Sequence, residues 1–271
     1  MQRWIGKGGE VWKVFFRTSG GRMMPACGKF IGLMSTPALN FNQVSKAYGN
    51  SVVLNGLDLD VQPGEYFGLV GVNGAGKTTL INCLMDFTEP DHGDIEIFGV
   101  SNRQHQARAQ LAFVPERFTP PHYLTGKDFL SYMFRLRGQA YRADKVESML
   151  QALDLDSKAL SKPVCAYSKG MTQKIGLAAG FLSERTLYVL DEPMSGLDPK
   201  ARALLKRYLQ GMKTQGHTLF FSSHALSDVE EICERMAILH QGHLRFVGTP
   251  TQCCQQFGGE TLEQAFMNCI A

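Results

Sequence analysis

The chain has 271 residues, of which 44% are hydrophobic and 20% charged, and a formal net charge of +3. This composition is that of a globular protein and excludes a largely disordered chain. No uninterrupted apolar stretch approaches the ~18 residues that a membrane-spanning helix needs, and the seven cysteines, with no Cys-x-x-Cys pair, favour reduced thiols over a disulfide scaffold or zinc ribbon.

The N-terminal segment is basic, because residues 1–33 hold six Lys or Arg side chains against one Glu. The segment is rich in glycine and has no sustained hydrophobic periodicity. A basic arm for nucleic acid or anionic lipid and a targeting peptide are two interpretations of such a segment. Its charges are widely spaced and no apolar stretch of useful length accompanies them. We therefore expect residues 1–37 to form a disordered basic extension, with Met34 as a candidate initiator.

From Ala38 onward, extended apolar segments alternate with helical ones. Two extended segments, Phe41–Val44 and Val52–Val61, flank a turn at Tyr48–Ser51. Further strands are predicted at Tyr66–Val70, Ile95–Phe98, Leu111–Val114, Leu187–Leu190, Thr218–Phe221 and Met236–Leu239. Helices are predicted at Asp128–Arg137, Ala143–Leu153 and Gly170–Leu182. We expect one domain over residues 38–271, with core and β lobes at 38–115 and 184–249, a helical lobe at 116–183 and a helical tail at 250–271.

The strongest chemical signal is a glycine-rich loop, Gly71-x4-Gly76-Lys77-Thr78, between a buried strand and an amphipathic helix. This spacing is that of a P-loop, in which backbone N–H groups point at the phosphates of a nucleotide. We expect the lysine to reach the β- and γ-phosphates and the threonine hydroxyl to coordinate Mg²⁺. The predicted nucleotide-binding residues are Gly71, Asn73, Gly74, Ala75, Gly76, Lys77, Thr78 and Thr79.

A second buried strand ends in two carboxylates, Asp191 and Glu192. An acid at the carboxyl end of a parallel strand can hold Mg²⁺ through water, and a neighbouring acid can orient or deprotonate an attacking water. An apolar run ending in Asp-Glu is common by itself. In this chain it is followed by Ser195-Gly196-Leu197-Asp198-Pro199 and, after another strand, by Ser222-Ser223-His224.

Between these motifs lies Tyr167-Ser168-Lys169-Gly170-Met171-Thr172-Gln173-Lys174. The whole set resembles the ATP-binding cassette (ABC) ATPases: Walker A, signature motif, Walker B, D-loop and switch histidine, in the family's order. The resemblance runs from about Ala38 to at least Val247. It implies an α/β fold, a P-loop NTPase core with a mixed sheet and flanking helices, joined to an antiparallel β lobe and an inserted α-helical lobe. The implied ligands are ATP and Mg²⁺.

The resemblance further implies a head-to-tail homodimer that traps two ATP molecules. Each nucleotide site would combine the Walker A motif of one copy with Ser168 and Gly170 of the other copy. Asp198 in the D-loop would signal across this dimer. None of these roles follows from composition or spacing alone.

Within one copy, the resemblance implies that Asp191 assists Mg²⁺ and that Glu192 is the catalytic base. His224 would contact the γ-phosphate and hold the attacking water. Tyr48 stands where the family places an aromatic ring that stacks on adenine. Packing at a strand end is the other interpretation of this tyrosine.

The chain departs from the common family pattern at two motifs. Lys169 and Met171 stand where the commoner signature has Gly and Gln, although the serine and the second glycine remain. Glu116 stands in the Q-loop where the family usually has glutamine. A glutamate can also ligate Mg²⁺, but it adds a negative charge beside the γ-phosphate. We therefore expect Glu116 to be a metal ligand and catalytic residue, with its effect on rate left open.

An aromatic segment, Arg117–Leu124, follows the Q-loop and leads into a helix with Phe129, Met133 and Leu136 along one face. Packing within the helical lobe is one interpretation of these side chains. The other, implied by the resemblance, is a groove beside the Q-loop that receives a helix of a membrane permease. The sequence alone does not decide which side chains face outward.

The resemblance leaves two functions open: the ATPase subunit of a transporter whose transmembrane permease is another polypeptide, and a soluble non-transport ABC ATPase of the iron–sulfur-cluster-assembly kind. A DNA-repair ABC ATPase is disfavoured because the chain has no long coiled coil or zinc module, and no nucleic-acid partner is expected. The YSKGM signature with Pro-Glu in the Q-loop looks most like ATPases paired with ABC-2-type permeases, mainly exporters. We therefore expect an ATP-hydrolysing exporter subunit on the cytoplasmic face of the inner (plasma) membrane, held there by the permease.

Overall fold

The computed structural model describes residues 36–271 and, before them, two short strands, β1 (Phe15–Arg17) and β2 (Met23–Pro25), which pair antiparallel. The chain divides into two compact units, Met1–Ser35 and Thr36–Ala271. The other residues of the first unit, to which the expectation of a disordered extension mainly refers, lie outside the described part of the chain. All predicted site residues belong to the second unit.

Strands and helices alternate through the second unit. In chain order its strands are β3 (Leu39–Tyr48), β4 (Ser51–Val61), β5 (Tyr66–Val70), β6 (His92–Ile97), β7 (Val100–Ser101), β8 (Leu111–Val114), β9 (Leu187–Asp191), β10 (Thr218–Ser223), β11 (Arg235–His240) and β12 (His243–Gly248). Its helices are α1 (Lys77–Leu84), α2 (Gly126–Leu136), α3 (Ala143–Ala152), α4 (Lys169–Phe181), α5 (Pro199–Thr214), α6 (Leu226–Ile232), α7 (Pro250–Phe257) and α8 (Leu262–Ile270).

Two sheets organise these elements. The larger sheet has the strand order β12-β11-β5-β10-β9-β8, and all its neighbours are parallel except the β11–β12 hairpin. The smaller sheet, β4-β3-β6-β7, is antiparallel throughout. A mixed α/β core with an antiparallel β lobe and an inserted helical lobe is therefore confirmed. In the described residues, no helix is both long and apolar enough to cross a membrane.

Alternating side chains of β5 connect the two faces of the larger sheet. Tyr66 and Val70 belong to a buried cluster formed with the helices, whereas Phe67 belongs to a second cluster shared with the antiparallel sheet. The ring of Phe220 stacks on Phe67 at 6.0 Å between centroids and lies 6.1 Å from the ring of Phe41. This period-2 alternation makes β5 a fully buried strand, as its continuous apolar sequence predicts.

Most apolar side chains of α2 pack inside the helical lobe. The helix begins with a capping box in which the Thr125 hydroxyl accepts a hydrogen bond from the Asp128 N–H. Phe129 and Phe134 are buried, as the packing interpretation predicts, but Leu136 is 61% exposed. The lobe therefore keeps part of its apolar surface open to solvent.

The C-terminal tail is integrated into the core of the second unit. Helix α8 packs against α6 and β12, and α7 packs against α8. Cys253 and Ala265 are fully buried, and Leu262 is 1% exposed. The tail thus covers apolar surface of the core, whereas its last residue, Ala271, is exposed.

Several predicted boundaries differ from the structure. The turn at Tyr48–Ser51 is confirmed between β3 and β4. The strand predicted at Ile95–Phe98 was wrong at its end, because Phe98 has a φ of +49° and leaves the extended conformation after Ile97. Strands β7 and β12 and helices α5 and α6 were not predicted from the sequence.

Candidate functional site

The predicted site residues meet at one edge of the larger sheet. Strands β5, β10 and β9 are parallel neighbours, so their carboxyl ends lie side by side. The glycine-rich loop follows β5, Glu192 follows β9, and His224 follows β10. Crevices outside the carboxyl ends of parallel strands are the usual ligand sites of open α/β sheets.

The glycine-rich loop is held tightly against the protein. A Cβ atom added to Gly71 would lie 2.5 Å from the carbonyl oxygen of Leu239, which only a shift of the backbone could relieve. Gly76 has a φ of +110° immediately before α1 begins at Lys77. Loop and helix N-terminus together form the anion-binding cradle that the sequence predicts.

The Lys77 side chain lies inside this loop and is almost completely buried. Its Nζ donates a hydrogen bond to the carbonyl oxygen of Gly71 at 2.7 Å. The same nitrogen lies 3.4 Å from Oε1 of Glu192. One ammonium group therefore connects the phosphate-binding loop to the carboxylate after β9.

Asp191 and Thr78 supply oxygen ligands suited to a magnesium ion. The Thr78 hydroxyl donates to Oδ2 of Asp191 at 3.0 Å, and the Ser222 hydroxyl donates to the other carboxylate oxygen. Burial raises the pKa of Asp191, whereas these two hydrogen bonds act in the opposite direction and the nearby charge of Glu116 raises the pKa further. The positive charge of Lys77 also favours the ionised form, but burial is the largest effect, so a further cation would stabilise the carboxylate.

These oxygen atoms suit a Mg²⁺ ion whose other ligands come from water and from the phosphates of a substrate. Among the residues that the structure describes, no group of three or more His, Cys, Asp or Glu side chains could hold a metal ion by itself. Mg²⁺ is commonly bound through one or two carboxylates together with water and substrate phosphates. One hydroxyl and one carboxylate beside a phosphate-binding loop match that donor set.

Glu192 and His224 form a hydrogen-bonded pair at the mouth of the site. Nδ1 of the histidine lies 2.7 Å from Oε2 of the glutamate. The backbone N–H of Glu192 donates to the Ser222 hydroxyl at 2.9 Å, and Glu192 has a φ of +47°. Left-handed backbone at a non-glycine residue is strained and is frequently found at functional sites. The carboxylate lies between His224 and Lys77, and its backbone is bonded to Ser222, an arrangement that would suit a general base.

A cavity of about 560 Å³ lies over these groups. Its lining includes the predicted residues Tyr48, Asn73, Gly74, Ala75, Gly76, Lys77, Thr78, Thr79, Glu116, Glu192 and His224. Tyr48 is half exposed, and the ammonium group of Lys46 lies over its ring, 5.6 Å from the centroid. The volume lies within the range of about 300–1,000 Å³ typical of small-ligand sites.

Three further residues belong to the site but were not selected from the sequence. Val53 and Arg117 line the cavity, and Ser222 bridges Asp191 to the backbone of Glu192. Ser222 stands directly beside Asp191 in the register of β10 and β9. Its only sequence signal is its position two residues before the histidine of the Ser-Ser-His motif.

Five predicted residues do not line the cavity. Gly71 and Asp191 are hydrogen-bonded to its lining residues Lys77 and Thr78, whereas Ser168, Gly170 and Asp198 lie apart from it. The hydroxyl of Ser168 caps α4 by accepting from the Met171 N–H at 3.2 Å. Asp198 caps α5 by accepting from the Ala201 N–H at 2.9 Å. Both capping residues are exposed, so these two positions of the signature motif and the D-loop lie at the surface.

The fold and the site define a P-loop nucleotide hydrolase. The model of the family described as ABC transporter matches residues 54–195. The chain is 35% identical over 236 residues to the Nod factor export ATP-binding protein I of Burkholderia pseudomallei (strain 1710b), covering 85% of this chain and 77% of that protein. The chain therefore belongs to the ABC transporter family.

Solved structures agree with this assignment. An ATP-binding subunit of an ABC transporter superposes with a TM-score of 0.76 at 31% identity, covering 86% of this chain and 99% of the other. A dimeric ATP-binding cassette in a post-hydrolysis state, bound to ADP and Pi, shares the fold with a TM-score of 0.71 at 18% identity, covering 78% and 98% of the two chains. The protein is the ATP-binding subunit of an ABC transporter and an ATPase.

Proposed function

We propose that this ATPase drives export through a separate ABC-2-type permease by stacking with a second copy around two ATP molecules. The observation that carries the proposal is the division of the motifs. Walker A, Glu192 of Walker B and the switch histidine share one cavity, whereas the exposed Ser168 and the half-buried Gly170 lie outside it. A second copy, stacked head to tail, could place its signature over that cavity.

The chemistry assigned to one copy follows from its contacts. Thr78 and Asp191 would hold Mg²⁺, which when bound neutralises phosphate charge and polarises the γ-phosphoryl group. Lys77 would give up its hydrogen bond to the Gly71 carbonyl and bind the phosphates instead. Glu192, oriented by His224 at 2.7 Å, would take a proton from the attacking water. Binding closes the dimer, and hydrolysis with product release reopens it.

Exposed apolar surface beside the Q-loop supports a permease partner. Phe87 is 65% exposed and its ring meets that of Phe113 edge to face, 5.8 Å between centroids. Phe113 lies on β8, directly before the Q-loop that carries Glu116, and Tyr123 beyond the Q-loop is 77% exposed. Such side chains suit the apolar face of a partner helix. The relative's name, with its reference to export, supports the outward direction.

Co-purification tests the partner and the membrane location together. We expect the tagged chain to bring down a stoichiometric multi-span permease without an ATPase domain of its own from its host's membranes in mild detergent. Phe87→Glu should lose this permease and keep ATP binding. Met267→Glu, at a 60% exposed residue on α8, is the matched control and should keep both. A soluble scaffold as the sole partner would contradict the transporter assignment in favour of an assembly ATPase.

A further inference from the structure

The nucleotide cavity contains a carboxylate, Glu116, that forms an ion pair with neither Lys77 nor Arg117, the Lys and Arg side chains of its lining. Glu116 lines the cavity and is close enough to Asp191 to raise the pKa of that residue. No Lys, Arg or His side chain of residues 36–271 forms an ion pair with Glu116. Lys77 is already shared between loop carbonyls and Glu192. A bound triphosphate would add further negative charge beside Glu116.

The signature motif contains the complementary feature, an exposed lysine without a carboxylate partner. Lys169 is the first residue of α4, between Ser168 and Gly170, and forms no ion pair within residues 36–271. Its Nζ reaches the Ser195 hydroxyl at 3.4 Å, a weak contact.

The side chain of this lysine lies against the D-loop. Carbon atoms of the Lys169 stem lie 3.0–3.1 Å from where a Cβ would stand on Gly196. Gly196 also has a φ of +76°, so a side chain there would be strained as well as crowded. The stem therefore lies across a glycine, and the ammonium group is presented at the surface.

We propose that Lys169 of one copy pairs with Glu116 of the second copy in the closed dimer. The inference rests on the proposed head-to-tail stacking, which brings Ser168 and Gly170 to the nucleotide of the second copy and brings Lys169 with them. There the ammonium group meets an unpaired carboxylate in a site that closure shields from water, where opposite charges attract more strongly. Lys169 is thus a positioning residue whose partner is a second copy of this chain.

The pair would also account for both departures of this chain from the common motifs. Glutamate in the Q-loop adds a negative charge where glutamine is neutral, and lysine in the signature adds a positive charge where glycine is neutral. Each change alone alters the charge of the composite site. Together, in the closed dimer, they leave it unchanged.

A double-mutant cycle in the dimer tests the pair. Dimerisation with Mg²⁺ and ATP is measured by sedimentation velocity in the full chain carrying Glu192→Gln, a substitution that we expect to slow turnover. We expect Lys169→Met to weaken ATP-dependent dimerisation about tenfold when Glu116 is present and less than about twofold when Glu116→Gln is also present. The charge-conserving Lys169→Arg should retain most of the dimer, and salt should shrink the difference.

The controls separate the pair from other causes. Lys162→Met removes an exposed lysine of the same lobe and should leave the dimer unchanged. An equal loss from Lys169→Met with and without the Glu116→Gln substitution would indicate a role within one copy, through the D-loop, and would overturn the pair alone. A Glu192→Gln parent that stays monomeric with ATP would overturn the proposed dimer and the pair with it.

Discussion

The two motif regions of this ATPase are built in opposite ways. Around Lys77, functional groups are buried, bonded to one another and fixed by the register of parallel strands. Around Ser168, they lie near the surface at a helix N-terminus, where the serine caps its own helix and Lys169 makes one weak contact with Ser195. The first region collects its groups around one cavity of a single chain, whereas the proposed function gives the second region a role only against a second copy. Mutations in the buried region should therefore change ATP binding or turnover, whereas mutations in the exposed region should change dimerisation and leave ATP binding to the monomer unchanged.

Glu192→Gln should give the largest effect, in the buried region. The variant removes the base but keeps the size of the side chain, so we expect turnover to fall by about 10²–10⁴-fold while ATP still binds. Phosphate release and calorimetric titration with ATP measure the two properties. A rate within about tenfold of the parent would show that Glu192 is not the base.

Gly71→Ala tests how tightly the buried region is packed. The new Cβ meets the Leu239 carbonyl, so we expect the free energy of unfolding to fall by about 1–3 kcal/mol and ATP affinity to fall with it. Gly211→Ala is the matched control, because nothing lies within 4 Å of its added Cβ on α5. This control should gain about 0.5–1 kcal/mol. Equal denaturation midpoints for both variants would contradict the close approach at Gly71.

Ser168→Ala tests the exposed region. Loss of the α4 cap should lower the free energy of unfolding by about 1 kcal/mol and leave ATP binding to the monomer unchanged. Thr261→Ala removes an equivalent cap from α8 and is the control. In the Glu192→Gln background, Ser168→Ala should weaken the ATP-dependent dimer and Thr261→Ala should not. Equal dimerisation of both would show that the serine acts only as a cap.

Glu116→Gln should give the smallest effect on turnover. Both side chains offer an oxygen to Mg²⁺, and the opposing effects of charge and ligation leave the rate within about tenfold, under ~1.4 kcal/mol. Steady-state hydrolysis at saturating ATP measures it. A complete loss of turnover would contradict a shared role for the two side chains.

The sequence predicted the site better where its parts are contiguous. The P-loop and the strand ending in Asp191 are each one continuous segment, so local pattern suffices. The role of Ser222 depends on the register between β9 and β10, which no local pattern specifies. The missed strand β12 has alternating exposed residues and follows a tight turn at Gln241 and Gly242, both with positive φ. Because this sequence is short and half exposed, the strand is recognised only from its pairing with β11.

The buried C-terminal helices have a practical consequence for handling the protein. Because Ala271 is exposed, an affinity handle or fluorescent label joined there should leave the molecule intact. A chain shortened to residue 249 would uncover the core surface beneath Cys253 and Leu262. That surface lies against α6, which follows directly after His224, so such a shortened chain should lose both solubility and hydrolysis.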